Sequence, residues 1–261
     1  MPVTSDRSHW DAFWTRDRSL DEIYDNDDRI REEVCRLMDP AGSLVLEVGA
    51  ATARDSISLA STGAAAVALD YSHEALKLAS EASSASGDGI MLVCGDAEAL
   101  PFRDGCFDLV FHQGVMEHFR DPGPLLDENR RVLRLGGTLL VDVPQSVHVY
   151  TLVKKALIAV GGWFAGWETQ YTAAGLSRLL RAHGFEPRSV YGRFFSPSLA
   201  YRMLREAMLR LGARLPLKPV LVPPVHRLRA RLRGRLERSF VGPALGCIVG
   251  VFAVREGEAE G

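Results

Sequence analysis

Short continuous apolar runs alternate along this chain with longer stretches whose apolar residues recur at helical spacing. The apolar runs near 43–49, 65–70, 90–95, 106–112 and 137–143 predict strands buried on both faces. The stretches near 54–61, 73–83 and 122–134 predict helices between them. Strand–helix alternation of this kind predicts an α/β fold, a doubly wound parallel sheet with helices on both faces. Gly136-Gly137 reads as the stop of the helix at 122–134, and Pro144 as the close of the fifth strand. Further on, Thr172 reads as the cap of a helix running to about His183, with strands expected at 188–191 and 246–254.

With 261 residues, 47% hydrophobic and 25% charged, the chain can build a sizeable core. We read it as a single domain over 1–261. A polar helical extension occupies 1–40, the core occupies 41–194 and 244–255, and a basic helical insert fills 195–243 before the last strand. Met1 to Leu20 lacks the apolar centre of a signal peptide, and no apolar run is long enough to span a bilayer. Cys35, Cys94, Cys106 and Cys247 are scattered without C-x-x-C spacing, so neither a zinc knuckle nor a disulfide framework is expected. A cytoplasmic setting follows from that cysteine usage, peripheral to the membrane if the insert lies on a lipid surface.

Charge changes the picture at the insert. The net charge is −2, yet Tyr201 to Phe240 carries ten arginines and one lysine against two glutamates. Within it, Leu228, Leu232 and Leu236 recur every fourth residue between arginines, a narrow apolar stripe on a helix. Three settings fit that pattern. The leucines pack the helix onto the domain, or the helix lies on an anionic membrane, or it meets nucleic acid or a protein partner. No aromatic residue interleaves the arginines of 226–238, which speaks against nucleic acid.

Candidate chemistry gathers at the strand ends. The run Leu44-Val45-Leu46-Glu47-Val48 leads into Gly49-Ala50-Ala51-Thr52-Ala53, a small-residue turn that lets a ligand approach the backbone. Roughly twenty residues on, the next strand ends in Asp70, placed as an acid that accepts hydrogen bonds from ribose hydroxyls. Asp96-Ala97 follows the third strand, with a carboxylate and a backbone N–H suited to the edge of adenine. Gln113 ends the fourth strand at the same rim.

In this order and spacing, with Glu128 to Gly137 leading into the fifth strand, these residues resemble the class I S-adenosylmethionine-dependent methyltransferases. The subgroup resembled is the ubiquinone/menaquinone-biosynthesis type of small-molecule methylase. The resemblance implies a Rossmann-like, seven-stranded, mostly parallel sheet and S-adenosyl-L-methionine as cofactor. It implies that Glu47 and Gly49 lie at the methionine end, that Asp70 holds the ribose and that Tyr71 packs on the adenine. Asp96 and Ala97 would read the adenine edge, and Gln113 would face the methionine moiety. Alanine departs from the family's glycine at Ala51 and Ala53, where its methyl and its aversion to positive φ weigh on the turn.

His118 is the candidate catalytic base, with Glu117 beside it either orienting the imidazole or simply solvated. The quinone-type O-methyltransferases carry an extra glutamate just before such a Glu-His pair. This chain has Gly114 there, so the set is incomplete and no metal is expected. The acceptor is expected to be a small, partly hydrophobic molecule, under residues that include His148, Tyr150, Trp167, Glu168 and Tyr171. Trp10, Trp14 and Tyr24 form either a lid or a docked helix, and Arg29 is a candidate for the methionine carboxylate. Two rival readings remain open at this point: a non-catalytic S-adenosylmethionine-binding module, and a nicotinamide-dependent Rossmann oxidoreductase.

Overall fold

The computed structural model describes residues 7–15, 28–87, 89–159, 168–194, 199–216, 223–237 and 239–257. Helices α1 (Arg7–Trp14) and α2 (Arg29–Leu37) come first. The core then alternates: β1 (Leu44–Val48), α3 (Arg54–Ala60), β2 (Ala65–Asp70), α4 (His73–Ser86), β3 (Met91–Cys94), β4 (Phe107–Gln113). A 3₁₀ turn (Met116–His118), α5 (Gly123–Val132) and β5 (Leu133–Pro144) follow. After α6 (Val149–Ala159), α7 (Ala173–Ala182) and β6 (Phe185–Arg193) come α8 (Leu199–Arg210), α9 (Pro223–Glu237), α10 (Val241–Leu245) and β7 (Ile248–Arg255).

The strands form one seven-stranded sheet in the order β3-β2-β1-β4-β5-β7-β6. β1 pairs in parallel with both β2 and β4, whereas β7 runs antiparallel between β5 and β6. The chain order reverses between β1 and β4. That switch point is where open α/β sheets leave a crevice beyond the carboxyl ends of their strands.

Alternation along the strands feeds two cores. Leu46, Val48, Val110, Leu139 and Val141 pack with Leu125, Leu126 and Val132 of α5 and Leu176 and Leu180 of α7. Their neighbours Val45, Leu109, Phe111 and Leu140 pack on the other face with Ile30 and Val34 of α2 and Leu59 of α3. Continuous burial of β1, β2 and β4 therefore follows from helices on both faces. Thr172 caps α7 through Gly175 N at 3.0 Å, as its sequence position predicts.

Two expectations need correction, and one of the three settings open for the insert closes. The glycine pair does not stop a helix. α5 already ends at Val132, and Gly136, at φ +72°, lies inside the long β5, whose register against β4 shifts nearby. A Cβ on Gly137 would come 2.8 Å from the Arg134 carbonyl, so glycine serves a kink in the strand. The sixth strand also exceeds 188–191, taking in Pro187 at a bulge, which an edge strand tolerates. Finally, the leucine stripe of α9 does not pack onto the domain. Leu228, Leu232 and Leu236 are 58%, 49% and 49% exposed.

Candidate active site

The turn after β1 is built from left-handed backbone. Gly49, Ala51 and Ala53 have φ of +67°, +50° and +54°. A Cβ on Gly49 would fall 2.5 Å from Val115 Cγ2, so glycine is needed there for packing as well as for φ. The two alanines hold a conformation that glycine adopts more readily. Ala53 N donates to the Ala50 carbonyl at 2.7 Å, and Ala53 is the residue from which α3 departs.

Glu47 is buried where β1 meets α3. Its Oε2 accepts from Ser56 N at 2.9 Å and from Ser56 Oγ at 2.5 Å, so it ties β1 to the first turn of α3. Burial pushes its carboxyl well above the usual range, with Asp55 adding to the effect. It shapes the turn from beneath.

Asp70 ends β2 and reaches back to the same turn. One carboxylate oxygen accepts from Ala51 N at 2.8 Å and the other from Ser72 N at 2.9 Å. Burial raises its pKa, and the Ser72 and Ala51 N–H groups oppose the rise. Gly95 N donates to the Asp70 carbonyl at 3.1 Å, so Asp96 stands at the end of the neighbouring strand, on the same rim. Asp96 is exposed, its Oδ1 accepts from Glu98 N at 2.9 Å, and Ala97 packs against the core. Tyr71 is half-buried next to Asp70. At the end of β4, Gln113 Oε1 is buried and has no hydrogen-bond partner among the described residues.

Helix α1 bridges the two sides of this crevice. Asp11 Oδ1 accepts from Ser72 Oγ, and the Trp10 ring stands edge-on to His118 with centroids 5.2 Å apart. Trp10 and Phe13 meet edge to face at 5.7 Å, and Phe13 is buried. These contacts dock α1 on the domain beside the crevice. Tyr24 lies outside the described residues. Arg29 is engaged elsewhere: its guanidinium sits 2.8 Å from the fully buried Asp142 of β5, in an ion pair that joins α2 to the sheet.

Beyond β4 and β5 lies a second polar group. Glu117 is buried, its Oε2 has no hydrogen-bond partner among the described residues, and burial followed by the nearby Glu168 pushes its pKa up to about 8. It is therefore not the solvated neighbour of His118. Lys154 of α6 pairs with Glu168, the two side chains only 2% and 6% exposed. Thr169 N donates to the Glu117 carbonyl at 2.8 Å, and Ser146 N to that of Tyr171 at 3.0 Å. Tyr171 is half-buried, and burial raises its hydroxyl to about 12. His148 turns instead to Cys247, with Nε2 and Sγ 3.4 Å apart. The Tyr150 side chain and Trp167 lie outside the described residues. Among the described residues, no three His, Cys, Asp or Glu side chains gather into a metal-ligand set.

Sequence reasoning missed Lys154. A lysine inside the apolar helix Val149–Ala159 was the available signal, but its partner is not visible from spacing. The structure does bring Gly49, Ala51, Asp70, Tyr71, Asp96, Ala97 and Gln113 to one rim, with His118 across it under Trp10.

Comparison with known proteins gives this geometry a context. Residues 46–141 match a methyltransferase domain family. A demethylmenaquinone methyltransferase of Clavibacter sepedonicus is 34% identical over 139 residues, 51% of this chain and 56% of that protein. A ubiquinone biosynthesis O-methyltransferase of Parvibaculum lavamentivorans is 32% identical over 123 residues, 47% of each chain. The chain spans about half the length of the curated relatives it matches. Among solved structures, the magnesium protoporphyrin IX methyltransferase of Synechocystis with bound SAH shares the fold with a TM-score of 0.59 at 14% identity, over 95% of this chain and 93% of that one. The [4+2]-cyclase SpnF shares it with a TM-score of 0.58 at 20% identity, over 88% and 80%.

Proposed function

We propose that this chain, a class I methyltransferase by its fold and by the domain in residues 46–141, binds S-adenosylmethionine along the ends of β1 to β4. It then directs methyl transfer to a small, partly hydrophobic acceptor held beside Glu117, near Lys154, Glu168 and Tyr171. The observation that carries this reading is the pair Asp70 and Asp96 at adjacent strand ends, with Asp70 bonded to the very turn that must receive the cofactor. The nicotinamide-dependent reading loses its footing, because the segment with the small-residue turn belongs to a methyltransferase domain.

The residues fit the cofactor in chemical kind. Asp70 keeps lone pairs for ribose hydroxyls beyond the two N–H groups it already accepts from. Asp96 and the Ala97 N–H suit the adenine edge, Tyr71 suits its face, and the unpartnered Gln113 Oε1 suits a polar methionine group. Gly49 lets the turn close over the methionine end, while Glu47 holds the turn from below. A bound sulfonium supplies an already electrophilic methyl group. What remains for the protein is alignment and exclusion of water, and α1 with Trp10 over His118 supports that role.

Where the acceptor must lose a proton, His118 and Glu117 stand at the acceptor side. His118 remains our candidate base. Glu117, held largely protonated at neutral pH, donates a hydrogen bond to an acceptor oxygen there. The names of the quinone-pathway relatives favour a hydroxylated aromatic or quinol-like acceptor. Transfer of labelled methyl to a panel of hydroxylated naphthalene and benzene acceptors tests the reading. Turnover that falls at least tenfold in His118→Ala is expected, and binding of S-adenosylmethionine without transfer to any acceptor would favour the non-catalytic module. The alanines at positive φ are what keep that second reading in view.

A further inference from the structure

The insert before β7 leaves one helix face that the cleft chemistry does not use. In α9, at about 3.6 residues per turn, Val225, Leu228, Leu232 and Leu236 fall within an arc of roughly 80°. All four are exposed, Val225 by 43%. Arg229 and Arg233 flank that arc on one side, Arg231 and Arg235 on the other, and 229, 231 and 235 are exposed. The helix is held to the domain by a different face. Glu237, about 100° round the axis from Leu236, is buried and accepts from Arg193 Nη1 at 3.0 Å and from Phe194 N at 3.0 Å. The leucines are therefore turned away from the anchored side by the packing itself. Phe240, just beyond the helix, is 86% exposed.

A solvated helix does not need leucines every fourth residue, and a core helix does not expose them. Leucines bordered on both sides by arginines match a surface that is apolar below and anionic above, which is the layered chemistry of a phospholipid interface. A duplex nucleic acid offers the charge but nothing for the leucines. We infer that the α9 face docks this protein on membranes containing anionic phospholipid, with the leucines entering the acyl boundary and the flanking arginines meeting headgroup phosphates. Among the described residues no helix is long and apolar enough to cross a membrane, so the contact is peripheral.

The test is flotation of the full chain with vesicles of phosphatidylcholine alone or with about one-third phosphatidylglycerol. Binding to the anionic vesicles only, weakened by salt, is expected. Each arginine near such a surface is worth on the order of five-fold in partitioning, so the triple change Arg229→Glu, Arg231→Glu, Arg235→Glu costs more than about 100-fold. Leu228→Ser, Leu232→Ser, Leu236→Ser abolishes flotation while leaving the thermal melt and cofactor binding unchanged, because these side chains belong to none of the buried core clusters. Equal binding to neutral vesicles, no binding to either, or unchanged binding by the serine variant overturns the inference. So does tight binding of a duplex oligonucleotide without flotation. Cofactor binding, measured on the same samples, reports separately on the cleft.

Discussion

Ala51 and Ala53 hold left-handed backbone, which costs an L residue about 1–2 kcal/mol. Ala51 is only half-buried, so Ala51→Gly should relieve that cost without opening a cavity. After the extra freedom that glycine gives the unfolded chain, a gain of about 0.5–1 kcal/mol in urea unfolding is expected, and a loss would show that the turn is unstrained. Glu117 makes a prediction of opposite kind. Its folded pKa, about 8, lies above its unfolded value, so its contribution to stability is full below the unfolded pKa and is lost as pH rises through about 8. Glu117→Gln should therefore stabilise the protein by about 1–3 kcal/mol above pH 8 relative to the parent and by little near pH 4. Parallel pH profiles contradict the burial of a titrating carboxyl. Asp70, Asp96 and the turn were legible in the sequence because strand ends and turns leave local marks. The burial of Glu117 and its nearness to Lys154 and Glu168 were not, because side-chain partners from a later insertion leave no mark at residue 117.

Among the elements, α1 packs against α4 beside the crevice. Asp11 on Ser72 and Trp10 on His118 tie it to opposite sides of the crevice. Trp10→Ala should raise amide exchange across 7–14 by at least about tenfold, since short helices are held by packing rather than propensity, while β1 to β5 stay protected. Unchanged exchange would mean that α1 is held by something other than these contacts. The strands of the core were readable element by element from continuous apolar runs. Gly136-Gly137 was misread because the same dipeptide that ends helices also permits a kinked strand, and only pairing with β4 and β7 decides between them.

Taken as one molecule, the fold closes through Arg193. Its guanidinium reaches Glu32 and Glu33 of α2 and Glu237 of α9, so the N-terminal extension and the late insert meet at the end of β6. Removing it leaves the poorly exposed Glu33 to Arg36 and Glu237 to the Phe194 N–H and Arg233, and Arg193→Ala should cost about 1–3 kcal/mol by thermal unfolding. A cost below about 1 kcal/mol would mean that water replaces the guanidinium. Strand–helix alternation made the sheet predictable from sequence, whereas this junction joins residues some 160 apart, and charge counting alone does not pair them.

Calorimetric titration of S-adenosylhomocysteine tests the central claim most directly. One site per chain with micromolar affinity is expected, weakened about tenfold by Asp96→Ala, an exposed position where the change leaves the fold intact. No heat at millimolar ligand, or preferential binding of a nicotinamide dinucleotide, would contradict the account.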